Sequence, residues 1–139
     1  MMNSKNLSLT LLALSFIGFA DATFLTIKHY TGTPIPCTIL AGCDTVTNSV
    51  YSQIAGVPVA LLGALFYLTV FILILLNLQQ PNKKLIKVVW WLSLLAFSAS
   101  LAFVYLQAFV INAWCLYCLI SALTSTLVFL SASVFVRRA

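Results

Sequence analysis

The sequence predicts an all-α fold, an integral membrane bundle of four transmembrane helices forming a single domain over residues 1–139, and three observations carry that expectation. The first is composition. Of the 139 residues 63% are apolar and 6% are charged, whereas a soluble domain carries roughly a quarter charged residues; the mean hydropathy is +1.11. The second is spacing: the few charges divide the chain into uncharged blocks long enough to cross a bilayer, which takes about 20 apolar residues at a rise of about 1.5 Å each. The third is sign. Seven Lys and Arg stand against two acids, a net charge of +5. In a polar chain such an excess points to nucleic acid, but in a chain this apolar it fits a membrane surface, and no nucleic-acid partner is expected.

The elements follow in order. Residues 7–27 form the first span, interrupted near its end by Asp21 and closed by Lys28 and His29. Lys5, the apolar run and Ala20-Asp21-Ala22 also fit a signal peptide with an A-x-A cleavage site, but the apolar run continues past that site through Phe24, Leu25 and Ile27. Residues 28–53 form a long loop. The uncharged stretch that follows holds a second span at residues 54–78. Gln79-Gln80-Pro81-Asn82-Lys83-Lys84 reads as a polar turn, because proline cannot continue a helix and the amides and lysines belong in water. From Val88 to Val136 there is no charge at all, too much for one span and enough for two. A third span is expected near residues 86–106 and a fourth near 113–136, with the turn around Gln107 to Trp114.

Charge then orients the bundle. With both termini in the cytoplasm, Lys5, Lys83, Lys84, Lys87, Arg137 and Arg138 lie inside and only Lys28 outside, a strong positive-inside bias. Trp90 and Trp91, beside the lysine cluster, fit the cytoplasmic aromatic belt, and Trp114 the opposite one. This orientation sends the loop between the first two helices to the outer side.

All four cysteines fall on that outer side. Cys37 and Cys43 lie in the long loop, and Cys115 and Cys118 at the start of the fourth helix. The outer face of a bacterial inner membrane, like a secretory lumen, is where disulfides persist. Cys115-Leu116-Tyr117-Cys118 opens a helix, which puts both sulfurs on one face, and the positive helix end favours the thiolate that attacks disulfides. Cys37-x5-Cys43 follows Thr31-Gly32-Thr33-Pro34-Ile35-Pro36, a segment able to reach both a soluble partner and the helix mouth. Two dithiols at two depths point to an electron relay by thiol–disulfide exchange. No haem, flavin or iron–sulfur spacing is visible, so the expected acceptor is a membrane quinone, ubiquinone or menaquinone, in a pocket built from residues such as Phe66, Phe103 and Leu119.

With these residues in place the sequence resembles the vitamin K epoxide reductase family, specifically its bacterial members that support disulfide formation. The matching features are Cys37 and Cys43 with Asp44, Ser49 ahead of Gly56-Val57-Pro58, Gly63, and Cys115-x-x-Cys118. The resemblance implies a bacterial inner-membrane, multi-pass protein with its redox cysteines on the periplasmic side. It also implies a direction of flow. Cys37 meets a reduced thioredoxin-like, DsbA-type partner, Cys43 exchanges with Cys115, and Cys118 reduces the quinone, with Ser49 near the quinone pocket. Many bacterial relatives carry a fused thioredoxin-like domain; this chain ends at Arg137-Arg138-Ala139, so the partner is expected to be a separate protein. The tyrosine that animal members place one turn after the C-x-x-C corresponds to Ala122, which favours quinone over vitamin K epoxide as the substrate.

Other readings compete at several positions. The four cysteines fit two structural disulfides, although a helical bundle in lipid gains little from staples. A zinc site fails on spacing, since Cys37-x5-Cys43 is wider than usual, and no metal is expected. His29 reads as an interfacial anchor, and Pro58 and Gly63 as helix-start and close-packing residues. Asp21 is either functional or a cap for the loop. Two other functions remain: a DsbB-like quinone oxidoreductase, whose C-x-x-C belongs in the first outer loop rather than the last helix, and a small four-helix multidrug transporter using Asp21, which leaves the cysteines unexplained.

Overall fold

The structure is a computed structural model and describes residues 4–31, 53–54, 57–111 and 116–138. Four long helices dominate it: α1 (Ser4–Thr31), α2 (Val59–Gln79), α3 (Lys83–Tyr105) and α4 (Leu116–Arg138). All four are long and apolar enough to cross a membrane. Two short strands, β1 (Gln53–Ile54) and β2 (Val57–Pro58), pair antiparallel just before α2, with Gln53 opposite Pro58 and Ile54 opposite Val57.

The helix bounds differ from the hydropathy reading in three places. α1 continues through Thr31 rather than stopping at residue 27. Lys28 and His29 mark the edge of the apolar layer, not the end of the helix, and the Lys28 charge complements the negative C-terminal end of the helix dipole. The Thr31 hydroxyl donates back to the Ile27 carbonyl at 2.8 Å. α2 starts at Val59, not residue 54, because the residue before a proline is biased to extended backbone and Pro58 is itself extended. The third difference is the largest. In place of a turn beginning at Gln107, a π-helix (Leu106–Ile111) extends α3, giving a candidate span Lys83–Val110 of 28 residues, about 42 Å of helix at 1.5 Å per residue. Gln107 is a polar residue in an apolar run, which reads as a turn in one dimension, yet it is 1% exposed. Its side chain points into the bundle, and its Nε2 donates to the Phe103 carbonyl.

The expected polar turn falls at residues 80–82. The Gln80 N–H closes α2 on the Leu76 carbonyl at 2.9 Å. Asn82 caps α3 by accepting from the Lys84 N–H at 2.9 Å, while its own N–H donates to Asn77 Oδ1 at 3.0 Å. Neighbouring helices run antiparallel in the ring α1–α2–α3–α4–α1, and α2 and α3 approach least closely of the four adjacent pairs. Lys5, Lys83, Lys84, Lys87, Arg137 and Arg138 therefore gather at one end, called here the basic end.

The polarity of the bundle is inverted relative to a soluble protein. Phe16, Leu95 and Phe109 are 65%, 69% and 70% exposed, while Ser8, Ser15, Ser93, Thr124 and Ser125 are buried. Lipid is as apolar as leucine, so helices in it associate through close packing of small side chains and interhelical hydrogen bonds. Toward the basic end Leu7, Leu11, Val70, Ile74, Ile86, Val89, Val128, Ala132 and Phe135 form a filled core. Trp90, expected in the interfacial belt, turns inward against this core and donates Nε1–H to Ser133 Oγ at 2.9 Å, whereas Trp91 stays 63% exposed. A more open cleft of about 410 Å³, lined by Lys5, Ser8, Asn77, Asn82 and Lys83 among others, marks the basic-end surface.

Candidate active site

The half of the bundle away from the basic end is hollow. A cavity of about 460 Å³ lies there, walled by all four helices. Its cause is local sequence: α3 presents Ala96, Ala99 and Ser100, and α4 presents Ser121, Ala122 and Ser125, where the basic-end half presents branched and aromatic side chains. Small side chains there leave the space between the helices unfilled.

One stripe of α4 carries the chemistry. Cys118, Ser121, Ala122 and Ser125 follow the i, i+3, i+4, i+7 spacing of a single helical face, and all four line the cavity. Cys118 is half-buried in the first turn of α4. About 4.5 Å deeper along the axis, at the level of Ser121, the buried Tyr67 crosses from α2. Its hydroxyl donates to the Ser121 carbonyl at 2.9 Å and lies 3.2 Å from Ser121 Oγ. Below it, Ser100 of α3 and Ser125 of α4 share a hydrogen bond of 2.7 Å. These bonds tie α2 and α3 to α4 across the floor of the cavity.

Tyr67 is held in place from behind. A Cβ at Gly18 of α1 would fall within the Tyr67 ring, so only glycine leaves room for it there. Phe66 packs on Tyr67 with ring centroids 5.0 Å apart. Gly63 is different: a Cβ there would sit 3.8 Å from Ala22 Cβ, in ordinary contact.

Of the expected pocket residues, Phe66 and Phe103 line the cavity and Leu119 does not, because it sits one position off the stripe. Pro58, Gly63 and His29 line it as well. Cys118 is the one expected redox cysteine within the described residues; Cys37, Cys43, Cys115 and Ser49 lie outside them. Tyr67, Ser100, Ser121, Ser125 and Gln107 were not singled out from sequence. The spacing Cys118, Ser121, Ser125 on one helix was a signal that could have found two of them. Nothing local marked Tyr67, whose role depends on a partner 54 positions away. Among the described residues no three His, Cys, Asp or Glu side chains converge on one point.

An apolar cavity of this volume, with a thiol on its wall and a few hydroxyls and one amide, has the dimensions and lining of a small-molecule site. The sequence profile described as the vitamin K epoxide reductase family matches residues 9–133. The chain belongs to the vitamin K epoxide reductase family. Membership covers nearly the whole chain and separates it from the transporter and DsbB-like alternatives, and it makes the protein a multi-pass membrane oxidoreductase. Among curated proteins none matches the chain.

Proposed function

We propose that this protein is a thiol:disulfide oxidoreductase that oxidises a separate thioredoxin-like, DsbA-type partner and reduces a membrane quinone, ubiquinone or menaquinone. The single observation that carries the reading is Cys118 on the wall of an apolar cavity within the bundle, one turn from the Tyr67–Ser121 hydroxyl pair. A thiolate of the reduced partner attacks the Cys37–Cys43 disulfide at Cys37 and displaces Cys43, and the partner's second thiol resolves that mixed disulfide and leaves oxidised. Cys43 exchanges with the Cys115–Cys118 disulfide at Cys115, and Cys118 hands the electron pair to the acceptor. The balance is one partner dithiol and one quinone giving one partner disulfide and one quinol, with two electrons and two protons moved.

The residues fit such a ligand. Phe66, Phe103 and Leu92 provide apolar walls for a ring, and Tyr67, Ser121 and Gln107 provide hydrogen-bonding groups for ring oxygens. A bound quinone supplies the two-electron acceptor chemistry, while the protein excludes water, orients the ring and holds the sulfur beside it. Ser49 belongs near this pocket in the family pattern. The cysteines face the periplasm, and both termini face the cytoplasm of a bacterial inner membrane, supported by the clustering of six Lys and Arg at the opposite end from Cys118.

The test is turnover in proteoliposomes with a reduced thioredoxin-like protein and a short-chain ubiquinone. Cys118→Ala is expected to abolish quinone reduction, and a reduced partner lacking its second cysteine, which cannot resolve the intermediate, to accumulate a mixed disulfide at Cys37 that mass spectrometry identifies. Wild-type quinone reduction by Cys118→Ala protein rules the reading out.

A further inference from the structure

Asp21 is one of two acidic residues in the chain and the relay described above does not use it. It lies within the membrane-crossing part of α1, and its Oδ2 is buried with no hydrogen-bond partner. Ser15 Oγ and Thr23 Oγ1 on the same helix share that condition, but hydroxyls do not ionise. A carboxylate in hydrocarbon without a cation or donor is costly, whereas the acid carrying its proton is not. A group in that position is therefore suited to keep a proton and to release it only when a neighbour takes it.

The surroundings supply the neighbour. Asp21, Phe24 and Lys28 follow one another by three or four positions along one flank of α1. Phe24 packs on Tyr117 of α4, ring centroids 5.0 Å apart, so this flank faces α4, and one turn deeper lie Asp21 on α1 and Ser121 on α4. Gly18, one turn before Asp21 on α1, lies against the Tyr67 ring, and Ala22, next to Asp21, lines the cavity; the Tyr67 hydroxyl is bonded to Ser121. Lys28 Nζ sits over the Phe24 ring at 5.5 Å to its centroid, and no described cation forms an ion pair with Asp21. The other titratable groups in the cavity-end halves of the described helices are His29 and Tyr30 on α1, Tyr67 on α2, Tyr105 on α3, and Tyr117 and Cys118 on α4.

We propose that Asp21 is a proton-holding group beside the cavity, exchanging its proton with the bound acceptor through the Tyr67–Ser121 hydroxyl pair. The inference rests on the quinone reading above. As Cys115 and Cys118 form their S–S bond, two electrons leave the sulfurs and two thiol protons are released. The Asp21 carboxyl delivers one proton toward a ring oxygen by way of the hydroxyl pair, and one of the released thiol protons reloads it. The second thiol proton goes to the other ring oxygen. Asp21 ends as it began, and no charge has to stand alone in the apolar cavity while the electrons move.

The experiment has two arms on the full-length protein in proteoliposomes. In the first, dicyclohexylcarbodiimide, which reacts with protonated carboxyl groups in membranes, is expected to label Asp21, and a short-chain ubiquinone to slow that labelling several-fold. Infrared spectra of the resting protein are expected to show a protonated-carboxyl band missing from Asp21→Asn. In the second, Asp21→Asn is expected to lower kcat for quinone reduction about 10²-fold or more, with KM for quinone changed less than about threefold and Asp21→Glu restoring much of the rate. Single-turnover oxidation of the thioredoxin-like partner by the oxidised protein needs no quinone and is expected to be unchanged in both variants. If the wild type itself reduces no quinone, the functional reading fails. If it does, but Asp21→Asn keeps the wild-type kcat, or Asp21 in the wild type neither labels nor contributes a carboxyl band, the proton-holding role is overturned alone. The labelling and infrared arms read the wild type, so they decide the matter even where Asp21→Asn folds poorly.

Discussion

The two halves of this bundle use the same four helices to opposite ends. Toward the basic end, Leu11, Val70, Ile74, Val89 and Val128 are each essentially inaccessible and mesh into one core. Toward the other end the same helices carry Ala96, Ala99, Ser100, Ser121 and Ala122 and enclose a cavity of about 460 Å³. The contrast shows how a short membrane chain divides labour. One half supplies the dispersion contacts that hold helices together where no hydrophobic effect acts between them, and the other gives up those contacts to make room for a ligand. Hydrogen bonds compensate in the hollow half. Tyr67–Ser121 and Ser100–Ser125 span the helices where side-chain packing does not.

The comparison can be broken most decisively through function. Cys118→Ala in the hollow half is expected to remove quinone reduction entirely. Ser133→Ala in the filled half deletes the bond from Trp90 and the hydroxyl's own bond to the Phe129 carbonyl, and is expected to leave turnover unchanged in the same vesicle assay. Equal losses in both would erase the division.

Stability provides the next largest contrast. Leu11→Ala is expected to cost about 2 kcal/mol, mainly through the cavity it opens, because removing apolar atoms in lipid has little transfer penalty. Leu92→Ala, facing space that is already open, is expected to cost less than about 1 kcal/mol. Reversible unfolding in mixed micelles measures both, and a larger loss at Leu92 would show that the cavity collapses in the free protein.

The two glycines sharpen the boundary between the halves. Gly18→Ala forces the Tyr67 ring to move and is expected to destabilise by roughly 1–3 kcal/mol and to weaken binding of a short-chain ubiquinone. Gly63→Ala has room for its methyl group and is expected to be neutral or to stabilise by up to about 1 kcal/mol through helix propensity. The smallest effect belongs to Ser100→Ala, which removes one interhelical hydrogen bond worth about 0.6 kcal/mol in a membrane.

The sequence by itself determined the membrane class, the number of helices, the polar turn between α2 and α3 and the gathering of basic charge at one end. Each depends on hydropathy, turn chemistry or charge within a short window, and such local quantities survive folding unchanged. It erred where a local cue had a non-local answer. Lys28 ended an apolar run without ending a helix, Gly56-Val57-Pro58 outweighed hydropathy at the start of α2, and Gln107 signalled a turn in one dimension but faces the interior in three. Only the tertiary structure decided that small residues of α3 and α4 lie opposite one another, that Gly18 makes way for Tyr67, and that Tyr67 meets Ser121 beside Asp21. A cavity is the space that several helices leave between them, so it depends on their rotation and register, which no single segment encodes. The cysteines named the chemistry from their positions along the chain, but the chamber beside Cys118 exists only once four helices close around it.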